Sequence, residues 1–289
     1  MNDKVWDDYD RDSLRAAYDA RGSVADFDSY LRGYDENSAR ARETLEGARN
    51  VAYGVHKDQV LDVFRAPGQA SPGPVNLFIH GGYWRLLTKE ENAFAALAMA
   101  PAGATVMVNT YSLAPHVHLD VIVRQCREAI VWAYRNAAAH GGDPERLYVS
   151  GHSAGGHLVG MMLATDWAGE YGVPADVIKG ATALSGIFDM RPLRLAEPQD
   201  WLQLSDEAAR RNSPLFNLPT HRCPVIVARG EDDPAGFHDQ SKAYIAALTD
   251  HGVEVATADL PGLDHFAAGN ELMDADSPVT RLMLAQMGL

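Results

Sequence analysis

A serine with a glycine two residues to either side, an apolar strand before it and an apolar helix after it leaves this chain few architectures. Leu147, Tyr148 and Val149 form the short apolar run of a buried parallel strand. Leu158, Val159, Met161, Met162 and Leu163 continue as an apolar helix to about Thr165. Between them runs Gly151-His152-Ser153-Ala154-Gly155-Gly156-His157. A serine on so tight a turn needs neighbours with almost no side chain, because the backbone on either side passes close to it, and glycine also tolerates positive φ. The turn holds a hydroxyl above the sheet, beside the next residue's N–H and the N-terminus of a helix.

The remaining hydrophobic runs supply the sheet. Residues 50–53 and 60–65 read as a hairpin, and residues 66–74 as a turn-rich surface loop. Buried strands follow at 75–79, 104–109, 146–150, 180–184, 224–230 and 253–259. Helical patterns separate them at 90–100, 119–139 and 238–250, with a last one at 277–287. Such alternation predicts an α/β fold whose mostly parallel central sheet is flanked by helices on both faces. Before residue 50 there is little strand signal. Leu14, Ala17 and Tyr18 share one helical face, Phe27, Tyr30, Leu31 and Tyr34 another, and residues 38–48 form a third pattern. The expected organisation is one domain over 1–289, with a helical N-terminal extension (1–50) and an insertion at 190–222 that carries a helix near 206–211. The extension either packs on the domain, covers a pocket mouth or braces a contact between copies, so a homo-oligomer stays open.

A serine hydroxyl needs a base to take its proton, and an imidazole in turn needs a carboxylate to fix its tautomer. In open parallel sheets such groups sit on loops at the C-terminal ends of strands. The 224–230 strand is followed by Glu231-Asp232-Asp233, and the 253–259 strand by Gly262-Leu263-Asp264-His265-Phe266. Of eleven histidines, only His265 follows the last strand on a glycine-containing loop. Asp233 is favoured as the acid over Asp232 and Glu231. The chain order Ser153, Asp233, His265 is the order of the α/β-hydrolases. The N–H of Ala154 comes with the serine turn, and His80-Gly81-Gly82-Tyr83-Trp84 after the 75–79 strand should add the N–H groups of Gly82 and Tyr83 for an oxyanion.

His80-Gly81-Gly82-Tyr83-Trp84 and Gly151-His152-Ser153-Ala154-Gly155-Gly156-His157-Leu158 resemble the arylformamidase (kynurenine formamidase) branch of the α/β-hydrolase superfamily. That branch is close to the hormone-sensitive-lipase-like esterases. Tyr111-Ser112-Leu113-Ala114-Pro115, Ser185-Gly186-Ile187-Phe188-Asp189 and Asp264-His265-Phe266 fit it as well. The resemblance implies Ser153, Asp233 and His265 as nucleophile, acid and base. Esterase relatives usually carry Gly where Tyr83 stands, so Tyr83-Trp84 leans towards arylformamidase. The expected reaction is cleavage of small aryl formamides or aryl esters through an acyl-enzyme, with N-formylkynurenine a candidate substrate. The alternatives are a broad carboxylesterase and, remotely, a non-catalytic ligand-binding receptor.

Trp84, Ile187, Phe188, Trp201 and Phe266 either line the substrate pocket or belong to the core, and Arg191 or Arg194 could meet a substrate carboxylate. No cofactor and no metal are expected: His116 and His118 are two residues apart, but no Cys or carboxylate cluster completes a site. Cys126 and Cys223 form no CxxC pair and read as buried thiols. A net charge of −14 argues against nucleic acid and anionic membranes as partners. The acidic start, Asp3 to Asp8, lacks a signal-peptide core, so the expectation is a cytoplasmic protein acting on a small aromatic ester or amide.

Overall fold

The computed structural model describes residues 3–68 and 71–289; Met1 and Asn2, and Gln69 and Ala70 of the loop expected at 66–74, lie outside them. Two helices open the chain, α1 (Arg11–Ala17) and α2 (Phe27–Thr44), capped by the side chains of Asp10 and Asp26. Here the structure departs from the expected separate helix at 38–48: α2 runs through Ser38 without a break and stops at Thr44. Gly47 has φ +150°, and the carbonyls of Glu46 and Ala48 accept from Arg65 N and Val63 N, both at 2.8 Å. Those residues are drawn out of the helix to lie beside the sheet.

Eight strands follow among the described residues: β1 (Val51–Ala52), β2 (Val60–Phe64), β3 (Gly73–Ile79), β4 (Thr105–Asn109), β5 (Gly142–His152), β6 (Gly180–Leu184), β7 (Val225–Gly230) and β8 (Val255–Leu260). They form one sheet in the order β1-β2-β4-β3-β5-β6-β7-β8. The β1–β2 hairpin and the β2–β4 pair are antiparallel, and the rest are parallel. The principal covering helices are α3 (Leu119–Asn136), α4 (Ala154–Leu163), α5 (Ala235–Asp250), α6 (His265–Asn270) and α7 (Pro278–Met287). The segment expected as one helix at 90–100 is broken. It leaves α-helical geometry at Asn92, whose side-chain amide donates back to the Thr88 carbonyl at 2.8 Å.

The two-residue period of the strands divides the core. Leu77, Met107, Val225 and Val227 pack with Ile122, Cys126 and Ile130 of α3, Leu158 of α4 and Tyr244 of α5. Their neighbours Phe78, Val106, Val108, Ile226 and Ala228 face the other way, onto Ala268 of α6 and Val279 and Met283 of α7. Each such large apolar side chain removed from water contributes about 1.5–3 kcal/mol. Every residue of α4 is buried, as expected of a helix that is apolar all round. In register, Ile79 pairs with Gly151, His152 with Leu184, Leu184 with Ala228 and Gly230 with Leu260. The loops after β3, β5, β6, β7 and β8 therefore leave from a common edge.

At that edge α4 meets β3 backbone to backbone. A Cβ on Gly155 would run into the Ile79 carbonyl oxygen, and one on Gly151 would sit 2.5 Å from the Gly155 carbonyl oxygen. Gly155→Ala is expected to lower the unfolding free energy in urea by about 3 kcal/mol. Gly33, in the middle of α2 with open space where a Cβ would go, should respond oppositely, Gly33→Ala adding about 0.5–1 kcal/mol. A Gly155→Ala protein as stable as the wild type would remove the close-approach argument.

Candidate active site

Ser153 stands between β5 and α4 at φ 58°, ψ −120°, a conformation that a side chain bearing a Cβ rarely adopts. The turn holds because Ser153 N donates to the Leu184 carbonyl (2.8 Å) and the Ser153 carbonyl accepts from His157 N (3.1 Å). The hydroxyl then points to His265, Oγ to Nε2 2.8 Å, and His265 Nδ1 lies 2.7 Å from Asp233 Oδ1. An ionised carboxylate can only accept, so Nδ1 carries the proton and Nε2 is free to accept from Ser153. The second carboxylate oxygen, Oδ2, accepts from the Ser185 hydroxyl (2.7 Å) and from Gly230 N (3.1 Å). Burial alone would raise the Asp233 carboxyl; the charge and hydrogen bond of His265, with the Ser185 hydroxyl, outweigh it and hold the group below the usual carboxylate range. Of the three acids after β7, Asp233 is the one that reaches His265. The Glu231 carboxylate instead accepts from Gly262 N at 2.9 Å.

Gly81 to Leu86 form a tight turn over the serine. A Cβ on Gly81 would lie 2.7 Å from the His152 carbonyl oxygen, and the Gly82 carbonyl accepts from Arg85 N (3.0 Å) and Leu86 N (2.9 Å). Gly82, Tyr83 and Trp84 all have positive φ, at 100°, 50° and 60°. The outward carbonyls are tied down: Tyr83 O accepts from Trp201 Nε1 at 2.9 Å and Trp84 O from Ala114 N at 2.8 Å. The N–H groups of Gly82 and Tyr83 have no protein acceptor among the described residues. Ala154, the first residue of α4, has no intrahelical partner for its N–H either.

A cavity of about 240 Å³ opens in front of Ser153 and His265. Its walls are Tyr18, Phe27, Leu31 and Tyr34 from the N-terminal segment, the Gly81–Leu87 loop, Trp201, and Phe266. Of the five side chains expected near substrate, Trp201 and Phe266 line this cavity; Trp84, Ile187 and Phe188 do not. Successive positive φ values turn Trp84 inward, where its indole N–H donates to His157 Nδ1 at 3.1 Å. Ile187 is fully buried, and Phe188 stacks on Tyr244 at 4.0 Å because Gln240 Oε1 captures the N–H groups of Phe188 and Asp189. Arg191 is held by Asp189 (2.7 Å) and Arg194 by Asp206, so neither meets the cavity. The arginines on its walls are Arg15, Arg21 and Arg85.

Three residues of the site escaped the sequence reading. Ser185 had a signal, since it directly follows a strand at the active edge. His152, beside the serine, and Tyr30, on an aromatic helical face, stood in recognised patterns, but their partners lie more than 100 residues away in the chain and no pattern names them. Among the described residues no three His, Cys, Asp or Glu side chains gather into a metal-binding cluster. Cys126 and Cys223 are both buried thiols.

His80, His152 and His157 are buried, and burial pushes their imidazoles down to about 4, about 3 and about 4. His157 has both nitrogens engaged: Nδ1 accepts from Trp84, and Nε2 donates to the Asn212 carbonyl at 2.8 Å. In the unfolded chain these rings protonate near pH ~6.5. Between about pH 6.5 and 4 the unfolded state thus binds more protons, and stability falls as pH is lowered through that window. Each ring contributes a slope of up to about 1.4 kcal/mol per pH unit. His157→Gln is expected to flatten the plot of unfolding free energy against pH by nearly one proton there. An unchanged slope would show that His157 is not held neutral by burial.

A family model described as alpha/beta hydrolase fold matches residues 76–268. The chain is 34% identical over 295 residues to a kynurenine formamidase of Salmo salar, covering 98% of each. It is 28% identical over 237 residues to esterase LipQ of Mycobacterium tuberculosis, covering 75% of this chain and 56% of that one. A solved structure of a thioesterase candidate from Silicibacter sp. tm1040 superposes with a TM-score of 0.82 at 25% identity, over 93% of this chain and 97% of that one. The chain belongs to the α/β-hydrolase fold family and is an enzyme, a hydrolase of the arylformamidase and esterase type.

Proposed function

We propose that the protein cleaves small aryl formamides, and aryl esters of short acids, through an acyl-enzyme on Ser153. One observation carries the reading: a serine–histidine–carboxylate relay with 2.8 Å and 2.7 Å links opens onto a small, aromatic-walled cavity. As the Ser153 oxygen attacks the acyl carbon, its proton passes to His265 Nε2, and Asp233 stabilises the imidazolium. The negative oxygen of the tetrahedral intermediate is met by the N–H groups of Gly82, Tyr83 and Ala154, each such donor being worth about 3–4 kcal/mol. Collapse breaks the bond to the aryl amine or alcohol, which leaves with the proton from Nε2. Water then attacks the acyl carbon, giving its proton to Nε2; the bond to Ser153 Oγ breaks, Oγ takes that proton back from Nε2, and formate or another short acid departs.

The cavity supports a small substrate. At about 240 Å³ it lies below the roughly 300–1,000 Å³ of pockets for drug-sized ligands. Trp201 and Phe266 would flank the aromatic ring, and N-formylkynurenine is the candidate suggested by the name of the Salmo salar relative. The net charge of −14 supports a small molecule rather than nucleic acid as partner. No helix among the described residues is long and apolar enough to cross a membrane.

Steady-state kinetics test the reading. Ser153→Ala should lower kcat by about 10⁴-fold or more on every substrate. N-formylkynurenine and p-nitrophenyl acetate should be turned over well, and p-nitrophenyl butyrate and octanoate poorly. Efficient octanoate cleavage would favour a broad carboxylesterase instead, and full activity in Ser153→Ala would overturn the mechanism.

A further inference from the structure

His265 is the first residue of α6, a helix of only six residues. Ends of short helices fray, yet a general base must be held to within about 0.5 Å of its working position. The backbone around His265 shows how this is met. Three successive acceptors, the Asp264 carboxylate, the His265 carbonyl and the Phe266 carbonyl, are each taken by a side-chain donor from a distant part of the chain. The Tyr30 hydroxyl donates to Asp264 Oδ2 at 2.6 Å, His152 Nε2–H to the His265 carbonyl at 2.9 Å, and the Tyr34 hydroxyl to the Phe266 carbonyl at 3.1 Å.

The other Asp264 oxygen caps α6, accepting from Phe266 N (3.0 Å) and Ala267 N (2.9 Å). The Tyr30 hydroxyl therefore grips the group that starts the helix. Rings tighten the same joint: Phe27 and Tyr30 lie 5.0 and 5.4 Å from Phe266, centroid to centroid. The His152 ring lies 4.8 Å from that of His265. A carbonyl can only accept, so His152 holds its proton on Nε2. Burial keeps the ring neutral, and it adds no charge beside the base.

We propose that Tyr30, Tyr34 and His152 are positioning residues that keep the His265 imidazole in line between Asp233 and Ser153. Helix α2 thereby serves the chemistry as well as walling the cavity. The proposal rests on His265 being the general base. It makes two hydroxyls of the N-terminal segment matter for turnover, although neither lies in the relay.

The test compares Tyr30→Phe, Tyr34→Phe, their double variant, His152→Leu, His152→Gln and His265→Ala with the wild type, reading kcat and KM for p-nitrophenyl acetate. The double variant should lose about 10- to 100-fold in kcat with KM within about twofold, because misalignment acts on the chemical step. His152→Leu should behave likewise. His152→Gln, which keeps an N–H near the Nε2 position, should recover most of the loss. If the double variant does not fold, the two His152 variants decide. A kcat within about twofold of wild type in the Tyr30→Phe/Tyr34→Phe and His152→Leu proteins overturns the proposal, as does a rise in KM with kcat unchanged. Wild-type turnover in His265→Ala would instead strike the assignment of the base beneath it.

Discussion

The approach of α4 to β3, with no side chain between them, is the contact on which the site depends. Gly155 lies against the Ile79 carbonyl, Gly151 against Gly155, and a Cβ on Gly156 would come 2.9 Å from the Gly186 Cα. With this contact between backbones, Ser153 sits at φ 58° and its hydroxyl faces His265. The contact also sets the Ala154 N–H and the positive end of α4 beside that hydroxyl, where charge develops during acyl transfer.

Strain concentrates in the same place. Tyr83, Trp84, Ser153 and Ser185 are non-glycine residues at positive φ, and all four lie on loops leaving the C-terminal edge of the sheet. Left-handed geometry in such residues costs about 1–3 kcal/mol each and persists only where the surroundings over-determine it. Here they do so through the Trp201 indole on Tyr83, the buried Trp84–His157 bond, and the hydrogen bond from Ser185 to Asp233. Ser185 shows the logic: its turned backbone delivers the hydroxyl that saturates the second oxygen of the carboxylate.

The strands were legible because buried parallel strands are written as uninterrupted apolar runs. The relay was legible because its members follow strand ends in a characteristic order. Both are properties of position along the chain. The direction of a loop side chain is not. Trp84, Ile187 and Phe188 sit at the right positions to meet substrate, but the sign of φ at Tyr83, Trp84 and Ser185 decides where the side chains go, and no hydrophobic pattern encodes that sign. The continuity of α2 through Ser38 was hidden for a related reason. Ser38 reads as a helix start, yet its hydroxyl accepts from Phe94 N at 3.1 Å, a partner 56 residues away. Arg191 and Arg194 were candidates by location, and each already had a carboxylate partner nearby.

Among the described residues, the N-terminal segment through Thr44 contributes no strand to the sheet, yet Tyr18, Phe27, Leu31 and Tyr34 form one side of the cavity. One wall of the cavity is thus contiguous in the chain and lies outside the part that builds the serine turn, while the Gly81–Leu87 loop, Trp201 and Phe266 complete the enclosure. Substitutions at Tyr18, Phe27 or Leu31 therefore alter that wall without touching the serine turn, whereas a change at Tyr34 also reaches the Phe266 carbonyl beside the base.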